Sequence, residues 1–280
     1  MRKMLKGYGM TTSDWLWFGF AAMAAGSVIL LAMGWNRRTR DEENHYLLHL
    51  FVTLTAMASY LAMALGQGSI LLADGREFYV ARYLDWSITT PMLLTGLCLT
   101  ALHAPFRRWA LLLGLVFTDF YMIATGVVAG FSPTGSTAKW AWYLISSGAF
   151  LFIYIGLWGP VRTESEKSGP RAAKLFKTNA TILSVVWFAY PVIFLLGSEG
   201  TKAIDPTATA ALYTIFDVVA KVVYGIFSMA ATRAKVSADL AADEVPEHDL
   251  RPAPVAYHTV EAPGRTERVE PSHRVQPNHR

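Results

Sequence analysis

Several ionisable residues lie inside apolar stretches of the sequence, where charged side chains are costly and usually kept for a function, and four of them matter first. Asp217 and Lys221 are four residues apart in one stretch, a spacing that makes them neighbours on a helical face. Arg82 and Asp85 share a face with Thr89 in another stretch. The four charges sum to zero, so the cluster can be tolerated away from water. The spacing alone allows either a structural ion pair or a reactive site.

The chemistry of lysine indicates what such a site could do. An amine in a dry pocket is a nucleophile that condenses with an aldehyde. The protonated Schiff base that results is still a cation, and Asp85 and Asp217 are placed to be its counterions. Many aromatic residues lie around this cluster, several of them near the centres of the apolar stretches. For any single one ordinary packing is favoured, but together with a central lysine they favour the walls of a slot for a long apolar ligand. These residues are Trp86, Trp142, Tyr143, Phe150, Trp187, Tyr190, Phe194 and Tyr213.

The elements that must position these residues are membrane-spanning helices. The 280 residues are 53% hydrophobic and only 16% charged, which is more apolar than a soluble domain needs. Seven segments are long and apolar enough to cross a bilayer, where each must be helical to satisfy its own backbone. They lie near residues 13–35, 45–67, 79–101, 107–131, 137–160, 175–197 and 206–232. The sequence therefore predicts an all-α, seven-helix membrane bundle.

Basic residues in the connections predict the orientation of the bundle. The connections after the first, third and fifth segments are rich in arginine and lysine, whereas the others carry only Arg76, Lys139 and Lys202. Because cytoplasmic loops hold the basic excess, we expect the N-terminus outside and the C-terminus in the cytoplasm. Residues 1–233 form the predicted transmembrane domain. Residues 234–280, rich in Pro, Glu, Arg and His, form a predicted disordered cytoplasmic tail.

Composition also disfavours several classes of protein. The net charge of +4 is modest and no basic patch is interleaved with aromatics, so nucleic-acid binding is not expected. The single cysteine, Cys98, allows no internal disulfide. The late histidines are expected to be solvated, and no metal site is predicted.

Three motifs resemble the signatures of microbial (type I) rhodopsins of the bacteriorhodopsin type. They are ARYLDWSITTP in the third segment, WFAYP at 187–191 in the sixth and FDVVAKVVYG at 216–225 in the seventh. The resemblance extends from DWLW at 14–17 to about residue 232. It implies that Lys221 carries all-trans retinal, and that the chain is a light-driven outward proton pump rather than an enzyme.

The resemblance also implies roles for the surrounding residues. Asp85 is expected to be the primary counterion and proton acceptor, Asp217 the second counterion, and Arg82 to lie just outside them. Glu199 matches a residue on the release side. Tyr60 and Tyr190 are expected to hydrogen-bond Asp217, Trp86 and Trp187 to sandwich the polyene, and Thr90 to pair with Asp119. The rest of the implied pocket is Leu93, Met122, Gly126, Ser146, Ser147, Phe150, Pro191 and Phe194.

The sequence departs from the family pattern at the position of the cytoplasmic proton donor. Gly96 stands seven residues after Thr89, where the best-known outward pumps carry a carboxylic acid. The trio Asp85, Thr89 and Gly96 resembles a bacterial Asp-Thr-Gly subgroup that is described as pumping protons. Two routes stay open: slow reprotonation directly from water, or a substitute donor in His49, eleven residues before Tyr60, for which Gly96 leaves room.

A second departure lies on the release side. The position that pairs with Glu199 in the family is Thr209, so two carboxylates cannot share a proton there. We therefore expect proton release to follow proton uptake.

The main alternative function is a sensory photoreceptor with a slow photocycle, although Ala220 stands where haloarchaeal sensors place a threonine. Inward, chloride and sodium pumps are disfavoured by Asp217 and Asp85, and a non-photochemical relative by Lys221. We expect a multi-pass protein in the plasma membrane, in particular a bacterial inner membrane, in contact with lipid. A homo-oligomer, trimer or pentamer, is also expected.

Overall fold

The computed structural model describes residues 10–102, 108–242, 245 and 250. Within these residues seven helices follow one another, as predicted. They are α1 (Thr12–Met33), α2 (Arg40–Ala64), α3 (Val80–Ala101), α4 (Trp109–Phe131), α5 (Thr137–Lys167), α6 (Pro170–Leu196) and α7 (Pro206–Ala241). Six of them are apolar and long enough to cross a membrane. The remaining helix, α3, has the same 22-residue length as α1 but carries Arg82 and Asp85.

Four helices extend beyond their predicted bounds, all at one end of the bundle. Helices α2 and α6 begin before the predicted residues 45 and 175, and α5 and α7 continue past residues 160 and 232. Hydropathy locates only the apolar part of a helix, and polar turns continue it where caps and ion pairs are available. The Thr39 hydroxyl, for example, accepts from the Glu42 N–H at 3.2 Å and caps α2.

The extension of α7 corrects the predicted tail. Helix α7 ends at Ala241, so residues 234–241 are helical and not disordered. An ion pair between Lys235 and Asp239 (2.9 Å) lies within this extension, and Arg171 of α6 also contacts Asp239 at 3.0 Å. The predicted disorder from residue 251 onward lies outside the described residues.

A short β-hairpin between α2 and α3 was not predicted. Strands β1 (Ile70–Leu71) and β2 (Glu77–Phe78) pair antiparallel. The turn contains Asp74 and Gly75, and Gly75 adopts a positive φ of 78°, which glycine tolerates. The Asp-Gly pair was the available signal for this turn. The hairpin lies at the same end of the bundle as the α4–α5 and α6–α7 connections, and we call this end the hairpin end. We call the opposite end the histidine end.

Arg76 fastens the hairpin to the end of α4. Its guanidinium pairs with Asp74 at 2.6 Å and donates to the carbonyls of Gly130 (3.2 Å) and Ser132 (2.9 Å). Partial burial opposes ionisation of Asp74, but hydrogen bonds from Arg76 and Thr134 outweigh that effect and hold its pKa well below the usual range. The hairpin is therefore a fixed cap over this end of the bundle.

Two helices contain a wider π-helical turn. In α5 it spans Leu157–Val161 and includes Pro160, and in α7 it spans Val219–Val223 and includes Lys221. Such turns often occur at functional sites, because they change which way a side chain points. In α7 the turn lies at the lysine that the sequence singles out.

Candidate functional site

Lys221 lies at the centre of the bundle and is only 1% exposed. Its Nζ forms an ion pair with Asp85 of α3 and a second one, at 3.0 Å, with Asp217 one turn earlier on α7. The contact with Asp217 follows from helical spacing, whereas the contact with Asp85 requires α3 and α7 to pack together. A buried ammonium would be strongly destabilising without such partners.

Asp217 is held by hydrogen bonds from three other helices. It accepts from the hydroxyl of Tyr60 at 2.8 Å, the hydroxyl of Tyr190 at 2.9 Å and the indole N–H of Trp86 at 3.2 Å. The structure thus brings together the predicted group of Tyr60, Tyr190 and Asp217, and adds Trp86 to it. With all these donors in place, the Asp217 carboxylate is held in a fixed position.

Asp85 has freedom that Asp217 lacks. Its Oδ2 pairs with Lys221, but its Oδ1 has no hydrogen-bond partner among the described residues although it is buried. The Thr89 hydroxyl donates to the backbone carbonyl of Asp85 at 2.9 Å. Of the two carboxylates beside Lys221, Asp85 is therefore the one that accepts fewer hydrogen bonds from protein side chains.

A cavity inside the bundle is lined by Lys221 and by residues of α3, α4, α5, α6 and α7. Its walls are mainly aromatic and aliphatic, and they are Tyr83, Trp86, Thr90, Leu93, Asp119, Met122, Ile123, Gly126, Ala129, Tyr143, Ser146, Ser147, Phe150, Trp187, Tyr190, Pro191, Phe194, Tyr213, Asp217, Ala220 and Lys221. Two residues that sequence reasoning placed at the pocket do not line it. Tyr60 lies behind Asp217 and contacts it through its hydroxyl, and Trp142 is half-buried on α5.

The middle of the cavity depends on close packing between α4 and α5. A Cβ added to Gly126 would lie 3.3 Å from the Ser146 hydroxyl, which donates to the Met122 carbonyl at 2.8 Å. The Thr90 hydroxyl donates to Asp119 at 2.7 Å and joins α3 to α4, as predicted from the family. A cavity with mainly aromatic and aliphatic walls and a paired amine in its lining fits a long apolar aldehyde, so these residues fit retinal.

Arg82 and Glu199 lie between the lysine centre and the hairpin end. The buried Arg82 guanidinium stands 4.4 Å from the ring centroid of Tyr213, and its Nε and Nη2 have no partner among the described residues. Glu199 accepts from the hydroxyls of Tyr83 (3.1 Å) and Tyr213 (3.2 Å). Thr209 instead donates to the Asp205 carbonyl at 2.9 Å. Glu199 is therefore held by tyrosines.

Lys139 is a buried residue at the hairpin end that sequence reasoning treated as a loop charge. Its side chain is fully buried, and its ammonium donates to the carbonyls of Glu199 (2.7 Å) and Ala129 (3.0 Å). Its position at the start of α5, next to polar residues, resembles that of an exposed loop lysine. Nothing in the sequence pattern distinguishes the two situations.

At the histidine end, the structure places His49 differently from the prediction. His49 is buried, its ring lies 5.5 Å from the ring of Tyr224, and neither ring nitrogen has a hydrogen-bond partner among the described residues. A Cβ on Gly96 would meet only Leu48, at 3.6 Å. The space beside Gly96 is therefore bordered by Leu48, and the predicted juxtaposition of His49 with Gly96 is not observed.

The histidine that approaches Gly96 is His45, which sequence reasoning missed. Its Nδ1 donates to the Asp41 carbonyl at 2.9 Å and lies 3.2 Å from the Asp41 carboxylate. The fully buried imidazole also interacts with the backbone of Gly96, and its Nε2 lacks a partner of ordinary hydrogen-bond geometry. His45 and His49 share a helical face, so spacing alone could not decide between them.

The fold and the site define a seven-helix membrane protein with a buried lysine between two carboxylates. A sequence profile of the family described as bacteriorhodopsin-like protein matches residues 10–235. The chain is 38% identical over 218 residues to the bacteriorhodopsin of Haloterrigena sp. (strain arg-4), covering 76% of this chain and 85% of that protein. The chain belongs to the bacteriorhodopsin-like family, which binds retinal as a general property, and is a multi-pass membrane protein.

Solved structures agree with this assignment. The thermophilic rhodopsin from Rubrobacter xylanophilus superposes with a TM-score of 0.77 at 34% identity, over 80% of this chain and 97% of that one. The light-driven proton pump LR (Mac) from Leptosphaeria maculans superposes with a TM-score of 0.75 at 29% identity, over 82% and 96%. The three motifs that indicated the family thus lie within a shared fold.

Proposed function

We propose that the chain is a light-driven outward proton pump that carries all-trans retinal as a protonated Schiff base on Lys221. The observation that carries the proposal is the ion pair of Lys221 with Asp85 and Asp217 at the end of a cavity with mainly aromatic and aliphatic walls. The pumping relative from Leptosphaeria maculans supports the same reading.

When bound, retinal supplies light absorption and an isomerisation that turns the N–H at Lys221 away from its partners. Asp85 then takes up the proton, because it is paired directly with Lys221 and its charge loses the partner that stabilised it. Asp217 is the less available acceptor, since Tyr60, Tyr190 and Trp86 all donate to it. Arg82 is then attracted to Glu199, and the proton on Asp85 is free to move towards the hairpin end.

The proposed orientation places the hairpin end outside and the histidine end in the cytoplasm. Exposed or partly exposed basic residues at the histidine end support this choice, including Arg38, Arg108 and Lys177. Among the residues that the structure describes, the basic residues of the hairpin end are fewer, and both Arg76 and Lys139 are buried in contacts. The plasma membrane of a bacterium is the proposed location, in a homo-oligomer surrounded by lipid.

The proposed route of reprotonation uses Asp41 and His45 in place of a carboxylic donor at Gly96, in keeping with the Asp-Thr-Gly subgroup. A histidine changes charge near neutral pH, so it can release a proton towards Lys221 and regain one from the cytoplasm. Asp41, 36% exposed at its side chain, connects the buried imidazole to solvent. This proposal replaces the hypothesis that His49 is the substitute donor.

Illumination of cells that express the protein with added retinal tests the function. In unbuffered medium the external pH should fall in the light, and a protonophore should abolish the change. Alkalinisation would indicate inward transport and would contradict the proposal. Cells that express the Lys221→Ala variant are the matched control, because they keep the bundle but lose the attachment point.

A sensory photoreceptor is the second candidate, because Gly96 carries no acid and a slow photocycle suits signalling. It predicts no light-driven pH change in the same cells despite normal pigment formation. The two candidates are therefore separated by one experiment.

A further inference from the structure

The buried ammonium of Lys139 takes no part in the transport route described above. It comes from the N-terminus of α5, where the Ser136 hydroxyl accepts from the Lys139 N–H at 3.2 Å and caps the helix. The side chain turns into the bundle and joins the last turns of α4, through Ala129, to the α6–α7 connection, through Glu199. Lys139 thereby fixes the backbone from which the Glu199 carboxylate projects towards Tyr83 and Tyr213.

Lys139 also completes the balance of buried charge. Apart from Arg76, which is paired with Asp74, and Asp119, which accepts from the Thr90 hydroxyl, three cations (Arg82, Lys139 and Lys221) and three anions (Asp85, Asp217 and Glu199) are buried between the centre and the hairpin end. They sum to zero only if Glu199 is ionised. A proton on Glu199 in the dark would leave a net positive charge in a region of low dielectric, which is unfavourable.

Other groups also act on Glu199 and on Lys139. Glu199 interacts with the charge of Arg82 from α3 and accepts hydrogen bonds from Tyr83 of α3 and Tyr213 of α7. Lys139 interacts with the charges of Glu199, Arg76, Asp74 and Lys202. Arg76 and Asp74 are paired with each other, and Lys202 is exposed. Lys139 and Arg82 are therefore the two buried cations that offset the charge of Glu199.

We propose that Lys139 is a positioning residue that keeps Glu199 ionised in the dark, so that Glu199 is an empty acceptor for the proton that leaves Asp85. The inference rests on the proposed function and names the group that sets the order of its outer steps. A proton passes from Asp85 to Glu199 and then to the medium, and each carboxylate returns to its anionic form. Release therefore follows uptake, because Glu199 holds no proton to lose early in the cycle.

The test compares Lys139→Met with Lys139→Arg and with Lys202→Met. The last variant removes an exposed charge from the neighbouring connection and is the matched control. A pH-indicating dye follows release and uptake after a flash in detergent-solubilised pigment. Infrared difference spectra record whether Glu199 loses or gains a proton, with Glu199→Gln to assign the band. In Lys139→Met, release should precede uptake at neutral pH and Glu199 should lose a proton. The Arg and Lys202→Met variants should keep late release.

The double variant Lys139→Met with Glu199→Gln should lose the early release, because the early proton comes from Glu199. Late release in Lys139→Met, with lower pigment stability as the only effect, would overturn the proposal. If that variant forms no pigment, the wild type still decides: its infrared spectrum must show Glu199 gaining a proton late in the cycle, and a loss would overturn the proposal. Because these measurements need no sealed membrane, a failure of vectorial transport in cells is recorded separately.

Discussion

The two halves of the bundle on either side of Lys221 differ in how their buried polar groups are satisfied. Towards the hairpin end, permanent charges and tyrosines are close together, from Asp85 and Asp217 through Arg82 to Glu199. Towards the histidine end, the buried Glu42 pairs with Arg38, and the buried His45 and His49 both have ring nitrogens without hydrogen-bond partners among the described residues.

This difference indicates how each half handles a proton. The half of the bundle towards the hairpin end contains proton acceptors at fixed positions, so a proton released at Lys221 has an acceptor close by. The other half is apolar around Gly96, where Leu48 is the nearest side chain, and it needs a group that gains and loses charge during the cycle. Histidine is suited to that task near neutral pH. The direction of proton transport follows from this difference. Acceptors are in place throughout the cycle towards the hairpin end, whereas the donor towards the histidine end gains and loses its proton during the cycle.

The largest expected effect comes from removing the proposed proton acceptor. Asp85→Asn should reduce light-driven acidification by about 100-fold or more, because Asp85 is the carboxylate that accepts the proton from Lys221 in this account. Retinal should still bind, since Asp217 remains beside Lys221. Proton flux in illuminated cells and pigment absorbance measure the two effects. Flux at the wild-type level in this variant would remove the basis of the comparison.

The next effect separates the two histidines. His45→Ala should slow recovery of the dark state by about 100-fold or more, the usual contribution of a positioned acid or base, and added azide should restore the rate. His49→Ala, the matched control one turn away, should change it by less than about 3-fold, because the His49 ring contacts Tyr224 and not Gly96. Flash photolysis measures both rates. The reverse pattern would return the role to His49.

A third variant introduces a carboxylate at Gly96, in the half of the bundle towards the histidine end. Gly96→Asp in the His45→Ala background should speed recovery by about 10-fold, since a new acid can donate where the imidazole was removed. The substitution is feasible because a Cβ at Gly96 makes only an ordinary contact with Leu48, at 3.6 Å. Gly96→Asn is the control of equal shape. An equal effect of Asn and Asp would mean that space, and not acidity, limits the rate.

The smallest effect concerns the cap over the hairpin end. Since the pKa of Asp74 is lowered on folding, its pairs with Arg76 and Thr134 stabilise the protein above about pH 4, and that contribution fades as the pH falls further. Asp74→Asn should lower the free energy of unfolding by about 1 kcal/mol at pH 7, or roughly 2–4 °C in Tm. At pH 3 the difference should shrink. A difference that grows on acidification would contradict this sign.

Much of the fold could be predicted because hydrophobic segments of membrane length have one structural solution. The polar ends of the helices could not be predicted in the same way. Helix α7, for example, continues through Lys235 and Asp239, which form an ion pair, and hydropathy does not indicate this extension. The hairpin was missed although Asp74 and Gly75 carried its turn signal.

Within the site, what sequence revealed was local. The four-residue spacing of Asp217 and Lys221 predicted their contact, and motif resemblance supplied most of the cavity walls. The burial of Lys139 and the choice between His45 and His49 depend on how helices rotate and pack. Those are tertiary properties that helical periodicity does not encode.

Time-resolved infrared difference spectroscopy of the purified pigment tests the central claim most directly. As the nitrogen of Lys221 loses its proton, a carbonyl band of a protonated carboxylic acid should rise at the same rate, and it should be absent in Asp85→Asn. Loss of the proton from Lys221 without that band, or the same band in the Asp85→Asn variant, would contradict transfer to Asp85.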